Sequence, residues 1–181
     1  MALSVINTEP QNGKYLILAF PTAGYVSILS INFLIHKKLL KEIGYIDIES
    51  PEQFAVVENG KITFPIRIFE GQHGIFITSQ FPIELKNVST LTNEIFEIYK
   101  KFKCKAIITL DALNATEEKS TSSLFYVSNK IQIDIKNSKQ LEEGVMIGLS
   151  AIIALESKKR GVPFIAFMAE THVNIPDGVA A

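Results

Sequence analysis

The chain has 181 residues, 47% of them hydrophobic and 20% charged, with 18 Lys and Arg against 19 Asp and Glu for a net charge of −1. A chain of that size makes one domain, residues 1–181, around a single sizeable core, and its charge balance leaves no surplus of cations to displace counterions from phosphates, so no nucleic-acid partner is expected. The single Cys104 excludes an internal disulfide, and the mean hydropathy of +0.21 puts an apolar excess into a full core or an interface between chains.

Residues 1–13 are polar and end in Gln-Asn-Gly, which predicts a loose lead-in and a turn before Lys14. Tyr15 to Phe20 is a nearly unbroken apolar run, the pattern of a strand covered on both faces. Pro21-Thr22-Ala23-Gly24 ends it. Ile28, Ile31, Ile35 and Leu39 then recur at helical spacing up to Gly44, and Tyr45 to Glu49 reads as the next strand, completing a βαβ unit. Beyond Pro51, Phe54 to Val57 and Ile62 to Phe69 flank Glu58-Asn59-Gly60-Lys61. Asn-Gly between β-rich runs predicts a hairpin, because both positions of a type I′ turn need positive φ. Pro65 confines the second of these strands to an edge or a bulge. Ile75 to Ser79 is a strand, and Ser89 caps a helix with Leu91, Ile95, Ile98 and Phe102 on one face. Ala106 to Leu110 is a buried strand, Asp111 to Ser123 a polar loop, and Leu124 to Val127 and Ile131 to Ile135 two short strands. Gly144 to Lys159 forms a helix stopped by Gly161, and Phe164 to Ala169 a last buried strand. The apolar stretches Tyr25 to Ile35 and Val145 to Leu155 fall short of the ~20 residues that cross a bilayer and read as buried helices. With no basic-then-apolar leader in the sequence, no membrane association and a cytoplasmic location are expected. The sum is an α/β fold, a three-layer sandwich around a mostly parallel sheet with an inserted β-hairpin.

In such a fold the strand-to-helix loops gather at the carboxyl edge of the sheet, where ligands bind. Thr22, Gly24, Asp111, Glu170, Thr171 and His172 fall on that edge and are the candidate ligand or partner residues. Glu170 and His172 read as an acid/base pair or as structural residues; the structural reading is preferred, because position in a fold does not make a catalyst. Gly24 reads as a point where backbone amides meet an anion or as the glycine of a tight turn. The three histidines lack HxxxH or HExxH spacing, so no metal site is expected. GxGxxG, P-loop and nucleophile-elbow patterns are all missing, so neither a cofactor nor a catalytic set is expected. Gly144 and Gly148 read as a close-packing pair on the helix. Cys104 lies between two lysines, which would lower its pKa.

The segment Gly144-Val-Met-Ile-Gly-Leu-Ser, the turn Glu156-Ser-Lys-Lys-Arg-Gly-Val-Pro163, and Met168-Ala-Glu-Thr-His172 followed by Pro176-Asp177-Gly178-Val179-Ala180-Ala181 resemble the proteasome assembly chaperone 2 family, the PAC2 family, including its archaeal homologues. Phe20-Pro21-Thr22-Ala23-Gly24-Tyr25-Val26, Ile66-Arg67-Ile68-Phe69-Glu70-Gly71 and Ile107-Ile108-Thr109-Leu110 look like three further blocks of that family, in order. Ser27 stands where members often have Gly, and Asp111-Ala112 where paired glycines follow the core strand. The family's usual C-terminal helical region is absent from residues 1–181. The resemblance implies a fold similar to purine nucleoside phosphorylases. It also implies a non-enzymatic chaperone that binds 20S proteasome α subunits and self-associates as a homo-oligomer. The competing expectation is an ATP-dependent carboligase related to the ATP-grasp group, or another small-molecule enzyme using the carboxyl edge of the sheet.

Overall fold

Four largely apolar strands lie side by side at the centre of one sheet. The computed structural model describes residues 2–48, 55–114, 123–133, 135–171 and 176–181. In chain order the elements are β1 (Ala2–Ile6), β2 (Tyr15–Ala19), a 3-10 turn at Ala23–Tyr25, α1 (Val26–His36), β3 (Lys41–Ile48), β4 (Val56–Glu58), β5 (Lys61–Thr63), β6 (Ile66–Glu70) and β7 (Gly74–Ser79). There follow α2 (Leu85–Lys101), β8 (Ile107–Asn114), β9 (Leu124–Asn129), β10 (Ser138–Gln140), α3 (Gly148–Arg160) and β11 (Phe164–Thr171). Nine strands form a sheet in the order β1-β3-β6-β7-β2-β8-β11-β9-β10, and β4 and β5 pair separately.

This sheet is mixed, which corrects the expectation of a mostly parallel, purine nucleoside phosphorylase-like one. Its centre, β7-β2-β8-β11, is parallel, as is the outer pair β9–β10. The pairs β1–β3, β3–β6, β6–β7 and β11–β9 are antiparallel. The reason is connection length. Parallel neighbours need a long crossover, whereas three residues, Gly71 to His73, join β6 to β7 and permit only a hairpin. The expected βαβ unit is altered in the same way: β2 and β3 run in one direction, but β7 and β6 lie between them.

Leu16, Leu18, Ile75, Ile77, Ile107 and Phe164 form one face of the sheet and pack against Leu91, Ile95 and Phe96 of α2 and Ile153 of α3. Helix α1 covers β2, β7 and β8 from the opposite side with Ile28 and Ile31. The predicted hairpin is present as β4 and β5, with Val57 opposite Ile62. Asn59 (φ 50) and Gly60 (φ 74) supply the two positive angles. Pro65 splits the predicted long strand into β5 and β6; Phe54 lies outside the described residues.

Other boundaries moved. The expected lead-in contains the edge strand β1, tied down where the Ser4 N–H donates to Glu94 Oε1 at 3.0 Å. Helix α1 stops at His36 and β3 starts at Lys41, both earlier than the spacing predicts. Helix α2 starts after Glu84, not Ser89. The second short strand is β10; Ile131 to Ile133 and Ile135 belong to no strand, and residue 134 lies outside the described residues. Gly144 lies outside α3, so the pair Gly144 and Gly148 makes no helix-packing motif. Val145 and Ile147 are exposed rather than buried in a helix. Among the described residues no helix is long and apolar enough to cross a membrane.

Candidate functional site

The parallel strands β2, β8 and β11 bring Phe20 to Thr22, Asp111 to Asn114 and Glu170 to Thr171 to one end of the sheet. The loop after β2 is pinned from within α1: the buried Ser27 hydroxyl donates to the Phe20 carbonyl and lies 3.2 Å from Thr22 Oγ1. The serine that departs from the family pattern thus holds the loop in place. Behind that loop, between the end of β8 and the start of α3, is a cavity of about 450 Å³ lined by Thr22, Asp111 and apolar residues including Phe20, Leu149 and Met168.

Asp111 belongs to β8 rather than to a loop, and it sits opposite Met168 of β11. Its Oδ1 accepts the Ala112 N–H at 2.8 Å, and Ser150, in the first turn of α3, lines the same cavity. Burial raises its proton affinity above the ordinary aspartate value, while the Ala112 N–H and the nearby Ser150 hydroxyl pull the other way. Among the described residues no cation offsets the charge.

Gly24 and Thr171 belong to a closed joint, not to this cavity. Gly24 has φ 60, and a Cβ there would collide with the Thr171 hydroxyl, which decides for the tight-turn reading of this glycine. Thr171 Oγ1 donates to Asp177 Oδ2 at 2.9 Å, and the Asp177 N–H donates to the Gly24 carbonyl at 2.9 Å. Asp177 Oδ1 accepts the N–H groups of Val179 and Ala180 at 3.0 and 3.1 Å. The Ser30 hydroxyl donates to the Ala181 carbonyl at 3.0 Å. Glu170 lies opposite Leu113, and its N–H donates to the Ser123 carbonyl at 2.9 Å. His172 lies outside the described residues. Of the six candidates, then, Thr22 and Asp111 share the cavity, and Gly24 and Thr171 share the joint. Among the described residues no group of three or more His, Cys, Asp or Glu is placed to hold a metal ion.

Sequence reasoning missed two groups and misjudged a third. Asp177, the centre of the joint, carried no local signal beyond its Pro-Asp-Gly turn pattern. Arg67 did carry one, as the lone charge in Ile66-Arg-Ile-Phe69. It is 2% exposed and donates to both carboxylate oxygens of Glu58, at 2.7 and 2.8 Å, so it anchors the hairpin to the sheet. Glu42 lies 3.4 Å from it. The hydrogen bonds from Arg67 hold Glu58 below the ordinary carboxylate range. Burial by itself would lower the pKa of Arg67, and Glu58 and Glu42 together more than reverse that. Cys104 moves opposite to the expectation drawn from its lysine neighbours: burial pushes the thiol up to about 11.

The PAC2 family model matches residues 16–181. The chain belongs to the PAC2 family. This PAC2-family chain is 25% identical over 163 residues to an uncharacterized protein of Methanocaldococcus jannaschii, covering 88% of this chain and 67% of that protein. Its fold is similar to that of Pyrococcus furiosus PbaA, an archaeal homolog of proteasome-assembly chaperone, with a TM-score of 0.85 at 21% identity over 100% of this chain and 81% of PbaA. It is also similar to P. furiosus PbaB, an archaeal proteasome activator, with a TM-score of 0.78 at 15% identity over 99% of this chain and 84% of PbaB. Two of the blocks that carry the PAC2 resemblance have structural work in this chain. The first loop walls the cavity, and Asp177 of the terminal stretch closes the joint.

Proposed function

We propose that this chain is a non-enzymatic assembly chaperone-like protein of the cytoplasm that binds 20S proteasome α subunits and self-associates. The PAC2 family match over residues 16–181 carries the reading, joined by the fold likeness to an archaeal homolog of proteasome-assembly chaperone. Large apolar side chains left open to solvent support self-association: Leu85, Val145 and Ile147 are 91%, 84% and 82% exposed. The test is capture of the chain by tagged 20S α subunits, with native mass measurement of the chain alone. Capture together with a mass above that of one chain supports the reading. Failure of capture refutes α-subunit binding, and a monomeric mass refutes self-association. The carboligase alternative requires a stabilising shift in melting temperature with millimolar Mg-ATP.

A further inference from the structure

We infer that the cavity at the carboxyl edge of the sheet receives the cationic end of an alkyl chain, an alkylguanidinium or alkylammonium group, with Asp111 as its counter-ion. A space of about 450 Å³ is of small-ligand size, too small for a folded segment but ample for one extended side chain or small amine. Phe20, Leu113, Val145, Leu149 and Met168 give it apolar walls that match a methylene stem, and among the described residues Asp111 is the one ionisable side chain lining it. The Ala112 N–H occupies part of the carboxylate's acceptor capacity. A carboxylate has about four acceptor positions, so at least two remain for a ligand's N–H groups. The charge is otherwise unmatched among the described residues, and a recessed carboxylate without a cation is unfavourable until one arrives. An anion at the start of α3 would meet Asp111 and be repelled. The site stands on its own lining residues and does not depend on any proteasome partner.

The test titrates the full chain at neutral pH with n-butylguanidinium, neutral n-butylurea, Nα-acetylarginine methylamide and inorganic phosphate, following the amide NMR signals of Ala112, Leu149 and Ser150. Butylguanidinium is expected to bind at least tenfold more tightly than butylurea, and Asp111→Asn, which keeps an oxygen to accept the Ala112 N–H, is expected to abolish that preference. Acetylarginine methylamide binding as well as butylguanidinium identifies a partner's side chain as the source. Binding at least tenfold weaker identifies a free small cation. Equal binding of the urea, survival of the preference in Asp111→Asn, or saturation of the same amides by phosphate would each overturn the assignment. The comparison of guanidinium with urea on the unaltered chain decides the matter even if the variant fails to fold.

Discussion

Removing Glu58 should cost more stability than removing Arg67, although Arg67 is the residue deep in the fold. The Arg67 side chain is 3% exposed and that of Glu58 43%. Glu58→Ala leaves a buried guanidinium with only Glu42, 3.4 Å away and itself largely in water. Breaking a fully buried pair from one side costs ~3–5 kcal/mol. Water already screens the exposed side of Glu58, and Glu42 remains, so the expected loss is about 2–3 kcal/mol. For a chain of this length that lowers Tm by roughly 4–12 °C. Arg67→Met instead replaces the buried charge with an apolar side chain of similar length and leaves Glu58 free to turn to solvent, so its expected cost is below about 1 kcal/mol. Urea unfolding of both variants, with hydrogen exchange at Val57 and Ile62 to report on the hairpin, checks the order. The sign with pH follows from the lowered pKa of Glu58. Its contribution is present above the ordinary value of 4.5 and is lost as pH falls through the folded-state value, so wild type and Glu58→Ala converge in acid. Arg67→Met losing more than Glu58→Ala, or a gap that widens in acid, would refute the reasoning.

Gly24→Ala combines a left-handed backbone with the collision at Thr171; a loss of about 2–3 kcal/mol is expected in denaturant titration. Asp111→Asn removes a partly buried, unmatched charge and should raise stability by about 0.5–2 kcal/mol at neutral pH, measured by calorimetry. Because the folded-state pKa of Asp111 is raised, wild-type stability falls as pH climbs from the ordinary aspartate value through the folded one, so the advantage of Asn should vanish at low pH. Cys104, buried with its thiol at about 11, should react with an aromatic disulfide at pH 8 only as fast as the chain opens. Stoichiometric labelling within seconds under native conditions would contradict its burial.

Much of the framework was legible in the sequence. Nearly unbroken apolar runs named β2, β8 and β11, because strands covered on both faces need apolar residues at nearly every position, and resumed alternation named β7. Asn59-Gly60 located the hairpin, because positive φ is a property of the residues themselves. The carboxyl edge followed from the β2, β8 and β11 assignments, and with it Thr22 and Asp111 as neighbours. Only the tertiary structure decided which strands pair and in which direction, since apolar patterning records that a face is buried and not by what. It likewise turned β1 from a loose lead-in into an edge strand, put Arg67 in reach of Glu58, and separated the Gly24–Thr171–Asp177 joint from the Asp111 cavity. The apolar excess was also only half read. Leu16, Ile77 and Leu91 are fully buried, as an apolar core requires, but Leu85, Val145 and Ile147 stand in solvent. Composition counts apolar residues without regard to where the chain folds them.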